Sequence, residues 1–358
     1  MDSLAQPAFP PYAHATRIRI DVPAFRAFRI HEDRRDGAAV IRAGFETLEL
    51  DALAPGEVVI RVAWSDINYK DALAATGAGR ILRRYPLVGG VDLSGTVESS
   101  TDARYGPGDA VLVTGCGLSE THDGGYAEYA RVPGEWVIPL PPGLTLRTAM
   151  ALGTAGFTAA LAIHRMEHNG QTPAKGPIAV TGATGGVGSI AIDMLKGRGY
   201  TVVAITSKQA HADYLRALGA DEVRLTAQVD AASARPLERA AFGGAIDNVG
   251  GALLSWLCRS TDSWGNVASI GLAGGATLTT SVMPFILRGV NLLGINSSAT
   301  LREPRLAVWA RIATDLMPRQ LDRIVTRTVD FDALPGAFAA YLDNSNTGRT
   351  LVRIGGPP

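Results

Sequence analysis

The sequence predicts an α/β protein in which a doubly wound parallel sheet is joined to a second domain rich in short strands. Three observations lead to this fold class. A glycine-rich turn connects a buried strand pattern to a helical pattern, further strand and helix patterns follow it, and several short strands with glycine turns precede it. At 358 residues the chain also exceeds the usual size of one domain, so we expect two.

The glycine-rich turn lies in the stretch 178–188, which reads IAVTGATGGVG. Gly182 permits a tight turn, Gly185 lets the backbone approach a phosphate, and Gly188 lets a helix pack closely on the strand. Helical and then β-branched strand patterns continue over residues 189–205, which makes a βαβ unit. A plain turn can have the same composition, but the βαβ context favours a loop that binds the diphosphate of a dinucleotide at a helix N-terminus.

The end of the second strand of this unit predicts which dinucleotide binds. It lies about 18 residues past the last glycine of the loop, where an enzyme that uses NAD usually has Asp or Glu on the ribose hydroxyls. This chain has Thr206, Ser207 and Lys208 there. Two hydroxyls and an ammonium can bind a 2′-phosphate that a carboxylate would repel, so the sequence favours NADPH over NADH. The alternative is that Lys208 is only a solvated lysine at the start of a helix.

Composition and charge argue against several classes of protein. Lys+Arg and Asp+Glu both number 34, so the formal net charge is zero and the overall field favours neither a nucleic acid nor an anionic membrane. No apolar run reaches the roughly 20 residues of a membrane span, and no signal-peptide pattern stands near the start. We therefore expect a cytoplasmic protein that acts on a small molecule.

The cysteines argue against disulfides and against a zinc site. Cys116 and Cys258 are the two cysteines of the chain, and neither has a second Cys or a His at ligand spacing. The nearest candidate is His122, in the loop after Cys116. We expect no metal, and Cys116 is interpreted as a small loop residue.

Short segments make up the first part of the chain. Residues 1–24 contain several prolines and no sustained period, so we interpret them as a flexible extension. Polar and aromatic residues at 63–73 predict a strand exit and a short helix, an unlikely composition for a plain connector. The other patterns predict strands with glycine punctuation, as in a small β-barrel-like domain, at 25–30, 57–63, 86–98, 106–113 and 124–129.

Longer units follow. Residues 148–161 are helical and apolar and lead into the glycine-rich unit, so a domain boundary is expected near 145–155. Because ligands of doubly wound sheets lie beyond the carboxyl ends of strands, Asn248 and Leu272 are candidate ligand contacts. Three further βα units fit after the glycine-rich unit, with strands near 223–225, 244–250 and 265–274, before a strand at 291–295 and a last strand at 350–354 that returns to the first domain.

Several strings resemble the medium-chain dehydrogenase/reductase superfamily, in which a strand-rich, GroES-like catalytic domain is split around a Rossmann domain. The resemblance covers about residues 28–354 and is closest to the zinc-free branch of quinone oxidoreductases and, within it, to NADPH-dependent acryloyl-CoA reductases. The strings at 283–288 and 348–352 are far more specific than the glycine loop. The matching strings are NYKDAL at 68–73, GTAGFTA at 153–159, TGATGGVG at 181–188, GAID at 244–247, GLAGG at 271–275, VMPFILR at 282–288 and GRTLV at 348–352.

The resemblance implies a catalytic domain at residues 25–150 and 298–358 and an NADPH-binding Rossmann domain at 151–297. We also expect a homodimer, although the sequence does not determine the oligomeric state. Three positions depart from the family: Lys208 stands where an arginine is usual, Gly89 where a proline is usual, and Cys116 where an aromatic residue is usual. The last two concern the acyl preference and not the cofactor. The resemblance implies cofactor contacts from Tyr69, Thr184, Gly185, Gly186, Val187, Thr206, Ser207, Lys208, Leu272, Ile286 and Ser297.

The implied reaction is the reduction of the C=C bond of acryloyl-CoA or a similar short enoyl-CoA. It needs a hydride at the β-carbon, stabilisation of the enolate oxygen and a proton at the α-carbon. Tyr69 is the first catalytic candidate, because a phenol can bond the carbonyl oxygen and pass a proton; the alternative is a tyrosine that only orients the cofactor. Asn68 is the second, with a strand-end hydrogen bond as its alternative.

A basic cluster at 79–84 follows this segment. Arg83 and Arg84 are candidates for binding the phosphates of CoA, with a solvated helix face as the alternative. Two other functions stay open at this point. One is an NADPH:quinone or enone oxidoreductase, and the other is a protein that binds NADPH without catalysis.

Overall fold

The computed structural model describes residues 22–233 and 235–355. Most of the predicted extension, residues 1–21, lies outside them. Within residues 22–24 the prediction is wrong at Val22, which is buried and belongs to the same apolar cluster as Phe25 and Phe28. The apolar core therefore includes a residue that precedes the first strand.

The strands are β1 Phe25–Arg35, β2 Ala38–Leu48, β3 Val58–Asp66, β4 Leu87–Val88, β5 Asp92–Ser100, β6 Ala110–Thr114, β7 Tyr129–Val132, β8 Ile138–Pro139, β9 Ile178–Thr181, β10 Val202–Thr206, β11 Glu222–Leu225, β12 Phe242–Asp247, β13 Thr261–Ser269, β14 Asn291–Gly294, β15 Val325–Asp330 and β16 Arg349–Arg353. The α-helices are α1 Tyr69–Thr76, α2 Leu146–His168, α3 Gly186–Gly197, α4 Ala212–Ala217, α5 Gly251–Ser260, α6 Met283–Arg288, α7 Arg302–Ile312, α8 Leu321–Ile324 and α9 Ala339–Leu342.

The doubly wound sheet is the one that the glycine-rich turn predicts. Over the described part of the chain it has six parallel strands in the order β11-β10-β9-β12-β13-β14. The strand order reverses between β9 and β12, and the crevice beyond the carboxyl ends of these two strands is where such sheets bind ligands. The turn at 182–185 follows β9, and Asn248 follows β12. The sheet thus brings two separate sequence predictions to one crevice.

The strand-rich part is built on a second sheet with the order β15-β16-β3-β5-β6-β8, to which β7 adds by pairing with β3. A smaller sheet has the order β2-β1-β4. The late strand β16 pairs antiparallel with β3, so the end of the chain returns to the first domain as the sequence predicts. This return places Arg349, the first residue of β16, beside the segment that carries Asn68 and Tyr69.

Helix α2 lies between the two large sheets. Most of its apolar residues between 149 and 163 belong to the largest apolar core cluster. By length and composition alone this helix could span a membrane, so the expectation that no such run exists is wrong. The structure buries 78% of its apolar window inside the protein. It is therefore the central helix of a folded core, and its burial explains its apolar composition.

Two connections differ from the sequence predictions. A second long strand, β2, follows β1 through the turn Asp36-Gly37, where both residues have positive φ, and the sequence analysis did not include it. The predicted βα unit after β11 is wrong: within residues 226–233 and 235–241 the structure has one 3-10 turn, Thr226–Gln228, and no α-helix. Pro236 lies in this connection, and a proline inside a helix removes a hydrogen bond and clashes with the preceding turn.

Candidate active site

The glycine-rich turn forms a tight bend that leads directly into α3. Gly182 has a φ of +57°, in the left-handed region that favours glycine. A Cβ on Gly188 would lie 2.4 Å from the carbonyl oxygen of Gly182, so a larger residue would push α3 away from β9. Among the described residues, no side chain caps the N-terminus of α3. Its first N–H groups are therefore available to an anion, and the helix dipole favours negative charge there.

Asn248 faces the same crevice from β12. Its backbone N–H donates to Thr181 Oγ1 at 3.0 Å, and its Nδ2 donates to the Thr181 carbonyl at 2.8 Å. Its Oδ1 is buried and accepts no hydrogen bond within the described residues. A buried acceptor without a donor is costly, so this oxygen fits a ligand group that donates a hydrogen bond.

The end of β10 holds the three residues that the sequence assigns to a 2′-phosphate. Thr206 is buried and its Oγ1 accepts the backbone N–H of Lys208 at 3.0 Å, whereas Ser207 is exposed. Lys208 Nζ donates to the Asn346 carbonyl at 2.6 Å, and burial lowers the pKa of this lysine. An ammonium has three donors, so this one bond fixes the side chain and leaves donors for a phosphate.

Tyr69 is the first residue of α1, and its side chain is 50% exposed. The helix begins here because the backbone N–H of Asn68 donates to Asp71 Oδ2 at 2.8 Å, in a capping contact across the first turn. Asp71 Oδ1 in turn accepts the N–H of Val91 at 3.0 Å, which ties α1 to the loop before β5. A phenol on a fixed helix start thus faces solvent.

Beneath Tyr69 lies a buried group of charges that the sequence analysis did not anticipate. Asn68 Nδ2 donates to Asp66 Oδ1 at 2.7 Å and to Asp92 Oδ2 at 2.8 Å. Asn68 Oδ1 accepts from Arg349 Nη1 at 3.2 Å, and Arg349 Nη2 lies 2.7 Å from Asp66 Oδ2. The amide of Asn68 is therefore fully engaged by protein, which favours a positioning role over direct contact with a substrate.

Burial sets the protonation of these carboxyl groups. It raises the pKa of Asp66 well above its usual range, against the opposing effect of Arg349. It also raises the pKa of Asp71 to about 7, although two backbone N–H donors favour the charged form. Three carboxyl groups, those of Asp66, Asp71 and Asp92, thus lie around one guanidinium, that of Arg349.

A break in α2 makes room for this group. Gly153 lies inside the helix with φ +50° and ψ −153°, and a Cβ there would lie 2.0 Å from Asp66 Oδ2. The break frees the N–H of Thr154, which donates to Asp92 Oδ2 at 2.8 Å, while Thr154 Oγ1 donates to Asp92 Oδ1 at 2.5 Å. Glycine at 153 is thus a geometric requirement of the charge group.

Arg349 connects the charge group to the glycine-rich turn. Its Nε donates to the carbonyl of Ala151 at 3.1 Å, and its Cδ lies 2.9 Å from where a Cβ on Gly186 would be. Gly186 is the first residue of α3. One side chain therefore touches the break in α2, the start of α3 and Asn68, so it ties the residue that precedes Tyr69 to the start of α3.

Four other residues that the sequence predicts for the site differ in exposure and in their contacts. Leu272 and Ile286 are 65% and 68% exposed, as expected of apolar side chains that a ligand would cover. Ser297 is half-buried, and its carbonyl accepts from Arg305 Nη2 at 2.8 Å. Arg84 donates through Nε to the Thr121 carbonyl at 2.8 Å, so its guanidinium is partly engaged by the protein.

The residues that sequence reasoning missed are Asp66, Asp92 and Arg349. The sequence did contain a signal for them, because each is a charged residue next to a strand pattern. Arg349 precedes the strand pattern at 350–352, and Asp66 and Asp92 border apolar runs. Charged residues are rarely buried unless they are paired, so each could have been assigned a buried partner. The pairing of Asp66 with Arg349 joins residues more than 280 positions apart in the chain, and sequence spacing does not reveal such a pairing.

Histidine and cysteine do not assemble in the described part of the protein. Both ring nitrogens of His122 face backbone carbonyls, those of Asp123 and Pro55, at 3.1 and 3.0 Å. Cys116 is half-buried and Cys258 is buried, and neither is in a disulfide. Over residues 22–233 and 235–355 there is no group of three His, Cys, Asp or Glu side chains with the arrangement of a metal site.

Two family models match the chain. The model of the alcohol dehydrogenase GroES-like domain matches residues 54–142, and the model of zinc-binding dehydrogenases matches residues 186–313. The acrylyl-CoA reductase AcuI of Ruegeria pomeroyi is 44% identical over 92% of this chain and 99% of that protein. The putative quinone oxidoreductase YhfP of Bacillus subtilis is 46% identical, again over 92% of this chain and 99% of the relative.

Solved structures agree with these matches. YhfP of Bacillus subtilis, solved with NAD bound, has a TM-score of 0.89 and 46% identity, covering 93% of this chain and 100% of that one. The YhdH oxidoreductase of Salmonella enterica, solved in complex with NADP, has a TM-score of 0.87 and 42% identity, covering 92% and 99%. The Rossmann and GroES-like architecture is thereby confirmed. The chain belongs to the medium-chain dehydrogenase/reductase family, in the branch of its acrylyl-CoA reductase and quinone oxidoreductase relatives.

Proposed function

We propose that this protein uses NADPH to reduce the C=C bond of acryloyl-CoA, or of a similar short enoyl-CoA, to the saturated acyl-CoA. The observation that carries the proposal is the half-exposed phenol of Tyr69 at the start of α1, where the preceding residue, Asn68, is tied through Arg349 to the start of α3. A relative that matches along nearly its whole length bears the name acrylyl-CoA reductase. The reaction needs a hydrogen-bond donor next to a bound dinucleotide, and this arrangement offers one.

The crevice fits NADPH on three observations. The uncapped N-terminus of α3 would hold the diphosphate, with N–H groups from Gly185, Gly186 and Val187 beside Thr184. The unpaired Oδ1 of Asn248 would accept a hydrogen bond from the nucleotide. Thr206, Ser207 and Lys208 would hold the 2′-phosphate, since an ammonium and a hydroxyl lie where a carboxylate would exclude it. Leu272, Ile286 and Ser297 are proposed as further contacts on the resemblance to the family.

When bound, the nicotinamide supplies a hydride to the β-carbon of the substrate. Tyr69 donates a hydrogen bond from its hydroxyl to the thioester oxygen, where negative charge develops. Asn68 and Arg349 hold the start of α1 in place, so the phenol is oriented before the substrate arrives. The proton at the α-carbon comes from the phenol or from a water that the phenol orders.

Replacing Tyr69 by phenylalanine tests this role. The substitution removes one hydroxyl and keeps the ring, so kcat and kcat/KM for acryloyl-CoA should fall together by ~10²–10³ while the Kd of NADPH stays the same. Tyr129→Phe on β7 is the matched control, because it removes a phenol hydroxyl outside the crevice. A Tyr69→Phe enzyme with normal kcat and a raised Kd for NADPH would show that Tyr69 only binds the cofactor.

Reduction of quinones or enones with the same cofactor is the second candidate, and the 46% identity to YhfP, named as a putative quinone oxidoreductase, favours it. The two candidates share the hydride step and differ in the CoA portion of the substrate. NADPH oxidation with a panel of short enoyl-CoA esters and quinones distinguishes them. Absence of turnover with every member, together with tight NADPH binding, would instead support a binding protein without catalysis.

We also propose a homodimer. The strand β14 is an edge of the doubly wound sheet with an exposed Leu292, and α6 exposes Leu287 next to it in the chain. An unpaired edge with exposed apolar side chains is suited to pairing with a second copy. Sedimentation of the purified protein tests this proposal.

We further propose domain boundaries at residues 150 and 297, which the position of the parallel strands between residues 178 and 294 supports. A cytoplasmic location is also proposed.

A further inference from the structure

A cavity opens beside the residue that follows Tyr69. It has a volume of about 430 Å³ and lies between the loop after α1 and the loop after β6. Lys70 is the second residue of α1, so the residue at the rim of the cavity directly follows Tyr69 in the chain. The lining residues are Lys70, Arg80, Ile81, Leu82, Arg83 and Glu120.

The charge of this lining is strongly positive. Lys70, Arg80 and Arg83 carry three cations, against the single carboxylate of Glu120. Lys70 Nζ already donates to Glu120 Oε1 at 2.7 Å. The guanidinium groups of Arg80 and Arg83 have no carboxylate or hydrogen-bond acceptor among the residues that the structure describes. Two cations are therefore left for a ligand, and the walls carry an excess charge of +2.

The backbone around the two arginines is held in place. Leu82, between them, is buried in the apolar core, and the N–H of Arg83 donates to the carbonyl of Glu120 at 2.8 Å. The next residue, Arg84, donates its Nε to the Thr121 carbonyl. The guanidinium groups thus start from a fixed loop, which lowers the entropy lost when they bind an anion.

Arginine pairs on a fixed frame are suited to phosphate, which they bind through parallel charge-assisted hydrogen bonds. We infer that this cavity binds phosphate groups of the CoA portion of the substrate, through Arg80 and Arg83 with Lys70 at the rim. The inference rests on the proposed function, because it needs a substrate that carries phosphates. It revises the sequence prediction of Arg83 and Arg84: the arginine pair is Arg80 and Arg83, and Arg84 supports the loop.

The position of the cavity agrees with this assignment. The pantetheine arm of CoA is long and flexible, so a thioester next to Tyr69 can leave its phosphates at a site reached from the start of α1. NADPH also carries phosphates, but its proposed contacts lie at α3 and at the end of β10. The two sources of phosphate are therefore assigned to different cations, and kinetics can separate them.

The test compares the double variant Arg80→Gln/Arg83→Gln with wild type on two substrates, acryloyl-CoA and acryloyl-pantetheine, which lacks the phosphates. We expect KM for acryloyl-CoA to rise about 10–100-fold, since each lost charge-assisted contact changes affinity by roughly tenfold. The KM values for acryloyl-pantetheine and for NADPH should stay within twofold. Arg34→Gln/Arg327→Gln is the control, because it removes two exposed arginines from β1 and β15 and changes the net charge equally.

Each outcome decides a separate point. An unchanged KM for acryloyl-CoA in the double variant would overturn the phosphate site and leave the proposed function intact. A parallel rise with acryloyl-pantetheine would also overturn it, because the loss would not depend on phosphates. A rise in KM for NADPH alone would assign the arginines to the cofactor instead. A wild-type enzyme that reduces neither thioester would overturn the proposed function, and the site with it.

Discussion

Replacing Arg349 by methionine should destabilise the protein far more than an ordinary loss of an ion pair. Methionine keeps much of the length of the side chain and removes the guanidinium. The ion pair with Asp66 is buried, with side chains 3% and 0% exposed, and Arg349 also donates to Asn68 Oδ1 and the Ala151 carbonyl. Removing one partner of a buried pair costs about 3–5 kcal/mol, because the remaining carboxyl group must either stay charged without a partner or take up a proton.

A second arginine on the same strand provides the control. Arg353 lies four residues after Arg349, at the other end of β16, and contacts Asp330 at 2.7 Å. These side chains are 36% and 68% exposed. Exposed pairs contribute about 0–1 kcal/mol, so Arg353→Met should have a small effect. The two variants remove the same chemical group from the same strand, and they differ mainly in burial.

Urea denaturation followed by tryptophan fluorescence and by far-ultraviolet circular dichroism measures the difference. Coincident curves would justify a single free energy of unfolding for this two-domain chain. The pH dependence adds a second reading. Burial already raises the folded-state pKa of Asp66 in the wild-type protein, and the variant also lacks the opposing effect of Arg349, so its stability should go on falling to a higher pH than that of wild type as the pH rises. A loss below about 1 kcal/mol, equal to that of Arg353→Met, would refute the account of the buried charge group.

Three further predictions concern the cofactor, the pH dependence and metal. Replacing Ser207 and Lys208 by alanine should lower kcat/KM for NADPH, with a loss of transition-state stabilisation of about 1–3 kcal/mol, and leave kcat/KM for NADH unchanged. Equal losses for the two cofactors would contradict the 2′-phosphate assignment. Burial raises the pKa of Asp71 to about 7, so between about pH 4 and 7 the folded state holds a proton that the unfolded state has lost. The contribution of Asp71 to the stability of the fold therefore falls as the pH rises through this range. Asp71→Asn should flatten that slope in urea midpoints measured at pH 5 and 8, and an unchanged slope would rule out Asp71 as its source. Exhaustive chelation should leave activity and Tm unchanged, and stoichiometric zinc in the purified protein would disprove this expectation.

The parts of the fold that depend on local patterns could be predicted from the sequence. The glycine spacing at 182–188 and the apolar runs around it predicted the parallel sheet, because both signals lie within one βαβ unit. The hairpin of β1 and β2 was also within reach. Asp36-Gly37 is a turn pair that hairpins favour, since both residues adopt positive φ, and the sequence analysis did not use it.

The parts of the site that depend on distant pairing could not be predicted in the same way. Asn68 and Tyr69 stood out by composition, but the engagement of the Asn68 amide follows from Asp66, Asp92 and Arg349 meeting on three neighbouring strands of one sheet, β3, β5 and β16. Long-range partners leave no periodic trace in one sequence. The basic cluster was visible at 79–84, yet which arginines line the cavity depends on the Glu120 and Thr121 backbone, which engages the loop.

The place of β16 in the second sheet has a consequence for biosynthesis. β16 lies between β15 and β3, so that sheet lacks an interior strand until residues 349–353 have left the ribosome. The parallel sheet uses strands between residues 178 and 294 and can form earlier, because domains fold as units during synthesis. Asp66 is synthesised more than 280 residues before Arg349, the residue with which it forms its buried ion pair. The parallel sheet can therefore be complete before the second sheet, although most strands of the second sheet come earlier in the chain.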